Sequence, residues 1–198
     1  WAENAEPFMK YLARNSYMLQ QGKFVADLAY LLDEGAPSTM PIWGSGLTPA
    51  VPDGYDFDYI NADVLLTRMS VASDGNLVLP QGMKYSVLVL PEAKYMTITV
   101  ARKILELVKD GARVTGPRPV STPGFTGFPD SEKEFESVMN ELWGDLDGIS
   151  RTKRVVGKGM ICWGMPLKTV LEISGARRDL EYSEGLDSKI NWIHRQTN

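Results

Sequence analysis

Two periodicities alternate along the chain. After Pro7, which a first helical turn tolerates, Phe8, Tyr11, Leu12, Met18 and Leu19 recur at helical spacing, and Gly22 closes this amphipathic segment. Residues 24–32, FVADLAYLL, then read as one mostly apolar run ended by Asp33-Glu34-Gly35, the pattern of a strand buried on both faces of a parallel sheet. Residues 36–55 are dense in Pro, Gly, Ser and Thr and carry Trp43 and Tyr55. A loop of about 20 residues is uncommon in a compact domain unless it serves a site or covers a partner.

Helical spacing returns over 58–69, with Ile60, Val64 and Leu65 in phase and Asp58 placed as N-cap. Residues 71–79 predict a short hairpin, because Asp74-Gly75 supplies the positive φ of a tight turn. A buried strand is predicted over 85–90, stopped by Pro91; a helix runs from Thr97 to Gly111, and residues 112–115 form the next strand. An irregular stretch with Pro117, Pro119, Pro123 and Pro129 leads to Ser131-Glu132-Lys133-Glu134, the pattern of a capping box, ahead of a helix through Phe135, Val138, Met139 and Leu142. Residues 160–163 read as a strand, 166–174 as a helix ending at Gly175, and 189–195 alternate like an edge strand. Strand and helix patterns alternate from about residue 24 to 175, which predicts an α/β fold with a three-layer, open, mostly parallel sheet.

The length of 198 residues suits one domain. A net charge of −4 and a pI near 5.1, with no local cluster of Lys and Arg among aromatics, argue against nucleic acid as a partner. No apolar run approaches the roughly 18 residues of a membrane helix, so no membrane partner is expected. Cys162 and His194 are the only cysteine and histidine, which rules out an internal disulfide and makes an all-protein zinc site improbable; no metal and no cofactor is expected. The start at Trp1 without a Met and the stop at Asn198 read as the ends of an excised piece.

Candidate chemistry is sparse. The segments after the predicted strands, Pro91-Glu92-Ala93 and Gly116-Pro117-Arg118-Pro119, hold no nucleophile elbow, and Gly44-Ser45-Gly46 lacks its spacing. Cys162, inside an apolar strand pattern beside Trp163, reads as a buried, inert thiol, and His194 as structural. Gly157-Lys158-Gly159 matches neither a dinucleotide fingerprint nor a P-loop. The one carboxylate cluster set among aromatics is Gly54-Tyr55-Asp56-Phe57-Asp58-Tyr59. It has two readings: a loop that contacts sugar or metal, or an Asx-turn at Asp56 followed by helix capping at Asp58. Trp43, in the long loop, is either an exposed aromatic or buried against the sheet edge. No catalytic residue stands out; Trp43, Asp56, Asp58 and Asn61 are the candidates for a substrate rim.

Several strings taken together carry a family resemblance. They are Pro7-Phe8, Tyr11-Leu12-Ala13-Arg14, Leu19-Gln20-Gln21-Gly22-Lys23 and Val25-Ala26-Asp27, followed by Gly54-Tyr55-Asp56-Phe57-Asp58-Tyr59-Ile60-Asn61. Leu79-Pro80-Gln81-Gly82-Met83-Lys84-Tyr85, Leu88-Val89-Leu90-Pro91, Gly116-Pro117-Arg118-Pro119, Glu141-Leu142-Trp143-Gly144 and Ile193-His194-Arg195 come after them. In this order they resemble the segment that follows the catalytic barrel in glycoside hydrolase family 106, the α-L-rhamnosidases. The resemblance implies a middle module of a longer bacterial enzyme of polysaccharide breakdown, periplasmic or secreted. Residues 1–23 would be the last barrel helix, and residues 24–182 a flavodoxin-like body similar to the class I glutamine-amidotransferase-like domain of several glycosidases. Residues 183–198 would be a linker and the first strand of a β-sandwich domain. The barrel and the β-sandwich would be its partners, with carbohydrate at the domain edge. The family's catalytic carboxylates lie on the barrel and match no residue here, so the module reads as a non-catalytic accessory domain. A flavodoxin-like module that binds a sugar or a nucleotide, and an oligomerisation domain, are the alternatives.

Overall fold

A computed structural model describes residues 5–36, 40, 46–124, 126–183 and 190–197. Trp43 lies outside the described residues. In chain order the elements are helix α1 (Ala5–Leu19), strands β1 (Lys23–Phe24), β2 (Leu28–Leu31) and β3 (Phe57–Ile60), helix α2 (Ala62–Thr67), and strands β4 (Ser70–Val71), β5 (Leu77–Val78), β6 (Lys84–Tyr85) and β7 (Val87–Val89). They continue with α3 (Ile98–Asp110), β8 (Arg113–Thr115), α4 (Asp130–Leu142), β9 (Lys153–Val156), β10 (Gly159–Cys162), α5 (Leu167–Ser174) and β11 (Arg195–Gln196). None of the described helices is long and apolar enough to cross a membrane.

The body is a mixed α/β domain around a six-stranded sheet of order β3-β2-β7-β8-β10-β9. All neighbours are parallel except β9, which pairs antiparallel with β10 at one edge. Because successive strand residues face opposite sides, the central strands feed two cores. Ala29, Leu31, Leu88, Val114 and Ile161 point to the face covered by Leu65 of α2, Ile104 and Leu107 of α3, and Phe135 and Met139 of α4. Leu28, Tyr30, Val87, Val89 and Cys162 point to the face covered by Leu167, Val170 and Leu171 of α5 and by Tyr55. Residues buried on both faces explain why the central strands read as continuous apolar runs. Trp143, fully buried just past α4, donates its indole N–H to the carbonyl of Gly116 at 3.1 Å.

Elements that carry their own punctuation form where the pattern predicts them. Thr97 caps α3 by accepting from the Val100 N–H, and Gly111 ends it at φ 131. Gly175 ends α5 in the left-handed region, and Gly75 turns the β4–β5 pair of a separate three-stranded sheet with β6.

Six expectations are corrected. The run 24–32 is two strands: β1 pairs with β11, and β2 begins only after Asp27, whose carbonyl accepts from the Ser86 and Val87 N–H groups at 2.7 and 3.1 Å. A charged side chain within the apolar run marks the break. Likewise 85–90 is interrupted at Ser86, separating β6 from β7. Residues 57–60 are a strand rather than the start of a helix, because they lie in full register with β2, from Leu28 opposite Phe57 to Leu31 opposite Ile60. Aromatic and β-branched residues suit that half-buried edge. The cap of α2 is therefore Asn61, which accepts from the Val64 N–H at 2.9 Å, and not Asp58.

Ser131 does not cap α4 either. It already lies in the first turn, its N–H donating to Gly127 at 2.9 Å, while Glu134 turns outward to pair with Arg102 of α3. Lastly, the strand near the C-terminus is confined to Arg195–Gln196, held because Arg195 donates to the carbonyls of Gln21 and Gly22 at 2.5 and 2.7 Å.

Candidate functional site

Asp56 and Asp58 flank the entry to β3, and their environments separate them. Asp56 accepts from the Phe57 N–H at 2.8 Å, and burial raises its carboxyl above the ordinary carboxylate range against that bond. Asp58 points into the sheet and accepts from the buried Tyr85 hydroxyl at 2.9 Å; burial raises it too, and the phenol opposes this. Its lone pairs serve a tertiary contact rather than a solvent-facing rim. Asn61 lies past the other end of β3, about 16 Å from Asp56 over five steps of ~3.3 Å, and its side chain is engaged as the cap of α2. Among the described candidates, Asp56 is the one that opens on a concavity.

That concavity is a cleft of about 710 Å³ lined by Tyr55, Asp56, Phe57, Ile190, Asn191 and Trp192. The C-terminal segment folds back over the start of β3 to form it, with the segment after α5 packed alongside. The Asp179 N–H donates to the Gly54 carbonyl at 2.8 Å, and the Val25 N–H to the His194 carbonyl at 3.1 Å. Gly54 has φ 83, and a side chain there would run into the Leu180 carbonyl, so this close approach requires glycine. A carboxylate and an amide beside aromatic faces can bind hydroxyl groups and an apolar ring edge at once.

Beside the cleft lies a group that the sequence alone does not assemble. Asp27 is pushed up from 3.8 to about 6, first by burial and next by the negative charge of Asp179; the Ser86 hydroxyl and His194 pull the other way. His194 Nδ1 stands 2.9 Å from Asp179 Oδ1. The one sequence signal for this cluster is Asp27 itself, a lone charge inside an apolar run.

Among the described residues, the two positions directly after β7, β8 and β10 carry no nucleophile. β7 is followed by Leu90 and Pro91, β8 by Gly116 and Pro117, and β10 by Trp163 and Gly164. Cys162 is fully buried, and burial lifts its thiol to about 11. Gly157 and Lys158 form only the turn between β9 and β10. Among the described residues no group of three His, Cys, Asp or Glu side chains is arranged to hold a metal ion.

Comparison with known proteins sets this geometry in context. A rhamnosidase from Novosphingobium sp. PP1Y superposes with a TM-score of 0.80 at 30% identity, over 99% of this chain and 18% of that one. A Formosa agariphila protein that bears the name "Putative beta-glucuronidase" is 31% identical over all 198 residues, which make up 15% of its length. The chain thus spans less than a fifth of either relative. The profile of the α-L-rhamnosidases matches residues 1–198 from end to end, and the chain belongs to that family, glycoside hydrolase family 106.

Proposed function

We propose that this chain is a non-catalytic α/β domain of an α-L-rhamnosidase-like enzyme of polysaccharide degradation, bracing the catalytic barrel and bringing the Asp56 cleft to the edge of a carbohydrate site. The observation that carries the bracing role is α1. It is amphipathic, yet none of its residues is buried: Phe8, Tyr11, Leu12, Tyr17, Met18 and Leu19 are between 42% and 68% exposed. An amphipathic helix is stabilised mainly by covering its apolar face, so this stripe calls for a neighbour. The relatives are more than five times longer than the chain, which leaves ample polypeptide to supply one. On this reading residues 1–23 close the barrel, 24–182 form the body, and 183–198 lead into a β domain.

The body is best described as flavodoxin-like, of the class I glutamine-amidotransferase-like kind. Numbered in chain order, its five parallel strands run 2-1-3-4-5 across the sheet, the flavodoxin-like order. Amidotransferase chemistry does not come with that shape, because the one cysteine, Cys162 at the end of β10, is fully buried in the core rather than presented on an exposed elbow.

An assay of α-L-rhamnoside hydrolysis tests the reading. The full-length enzyme is expected to turn over and the isolated chain to be inert; turnover by the isolated chain overturns it. Replacing Phe8 and Tyr11 with Ser in the full-length enzyme is expected to lower its thermal stability, as loss of an interdomain contact requires.

A further inference from the structure

A second cavity, of about 590 Å³, opens at the opposite end of the sheet, at the carboxyl ends of β7, β8 and β10, away from Asp56. Open parallel sheets place ligands at that end, where loops and helix N-termini converge. Three features of its wall define a chemistry.

The first is an unused hydroxyl. Thr115, the last residue of β8, lines the cavity at 5% exposure, and its side chain makes no hydrogen bond to any described residue.

The second is positive potential. The first turn of α5 has no side-chain cap, since Pro166 occupies that position. The N–H groups of Thr169 and Val170 donate to the Pro166 carbonyl, leaving those of Leu167 and Lys168 without an acceptor among the described residues. Lys94 and Arg118 line the same cavity, and Arg118 is steadied by Glu136 at 2.6 Å. Orphan amides at a helix start and two cations together favour an oxyanion.

The third feature is mixed. Glu92, also in the wall, would repel a bare polyanion but accepts hydrogen bonds from hydroxyl groups. Trp163 offers an indole, backed on one side by Gly148, where a side chain would come within 3.1 Å of the ring. Indole faces pack against the apolar faces of saturated rings.

An oxyanion, hydroxyl groups and a ring in a volume of this size describe one class of compound. We propose that this cavity binds an acidic monosaccharide, its carboxylate against the α5 N-terminus, Thr115 and Arg118, its hydroxyl groups toward Glu92 and its ring on Trp163. Such a site would make the domain a sensor or a holding site for an acidic sugar, separate from the Asp56 cleft and independent of whether that cleft borders a carbohydrate site.

Calorimetric titration of the full-length enzyme with glucuronate, glucose and inorganic phosphate tests this. Glucuronate is expected to bind saturably, with glucose and phosphate each at least ~10-fold weaker, because each lacks one half of the recognition. Thr115→Val, nearly isosteric, is expected to weaken glucuronate about 5-fold, and Arg118→Gln about 10-fold or more, with thermal unfolding checked for both. Absence of glucuronate binding, equal binding of glucose or phosphate, or affinities unchanged in both variants would each overturn the proposal. The variants leave rhamnosidase turnover as a separate readout, so failure here is distinguishable from failure of the accessory-domain reading.

Discussion

His194 Nδ1 lies 2.9 Å from Asp179 Oδ1, within ion-pair distance but not aligned for a hydrogen bond, so that Nδ1 and the buried Asp179 Oδ2 both lack a hydrogen-bond partner among the described residues. This contact joins the segment after α5 to the C-terminal segment, directly over Asp27, whose own Oδ2 is likewise unpartnered. The C-terminal segment is thus packed against a buried carboxyl, Asp27, whose charge state matters.

Asp27 makes that dependence measurable. Its carboxyl is raised to about 6 in the folded protein from 3.8, so the folded state holds a proton that the unfolded state releases. The contribution of Asp27 to stability is therefore fully present below pH 3.8 and is lost as pH rises through about 6. Asp27→Asn is expected to raise the melting temperature at pH 8 and to do so less at pH 5. Asp179→Asn, removing the second cause of the shift, is expected to bring the Asp27 titration below 6 without returning it to 3.8, because burial remains. Carboxyl titration by NMR reads this directly.

Asn61 separates capping from a role at a substrate rim. Asn61→Ala is expected to cost about 1 kcal/mol of stability and Asn61→Asp much less, since either Asn or Asp can accept from the Val64 N–H. Chemical denaturation gives the difference. Rhamnoside turnover by the full-length enzyme is expected to stay the same in both variants; a fall in turnover at unchanged stability would return Asn61 to the rim.

Trp143 joins the α3–α4 layer to the loop after β8 through its bond to Gly116. Trp143→Ala leaves a large cavity and an unmet carbonyl, and is expected to cost about 3–5 kcal/mol. Urea unfolding midpoints would show it, with Val155→Ala, on the exposed side of β9, as a near-neutral control.

Cys162 is expected to stay unmodified by thiol reagents at pH 8 in the native protein and to react fully in denaturant. Burial keeps the thiol covered and lifts it to about 11, so that it stays protonated at pH 8. Peptide mapping after alkylation identifies the site; native-state labelling would mean that the β10 strand opens readily.

Legibility in the sequence followed locality. Helix α3 is readable because Thr97 and Gly111 lie within a turn of the backbone groups they satisfy. The β3 segment is not, because Phe57, Tyr59 and Ile60 fit either a strand or a helical phase, and the choice is made by pairing with β2, some thirty residues earlier. The Ser131 and Glu134 pattern misleads for the same reason: Arg102, on another helix, takes the carboxylate that the capping box needs. Within the candidate site, Asp56 was legible from its aromatic neighbours, whereas Asp179 carried no sequence signal.

The chain by itself determined the α/β class, the self-punctuated helices and, through strings in a set order, membership of its family. Tertiary structure decided the rest. It split the run at Asp27, made a strand of residues 57–60, and brought Asp27, Asp179 and His194 together. It also left α1 with a bare apolar face and Thr115 with an unused hydroxyl inside a cavity. Capping and turn energies act between near neighbours in sequence, so a linear reading contains them. Strand pairing and the cost of burying charge depend on what the fold brings close in space, and they acquire values only once the chain has folded.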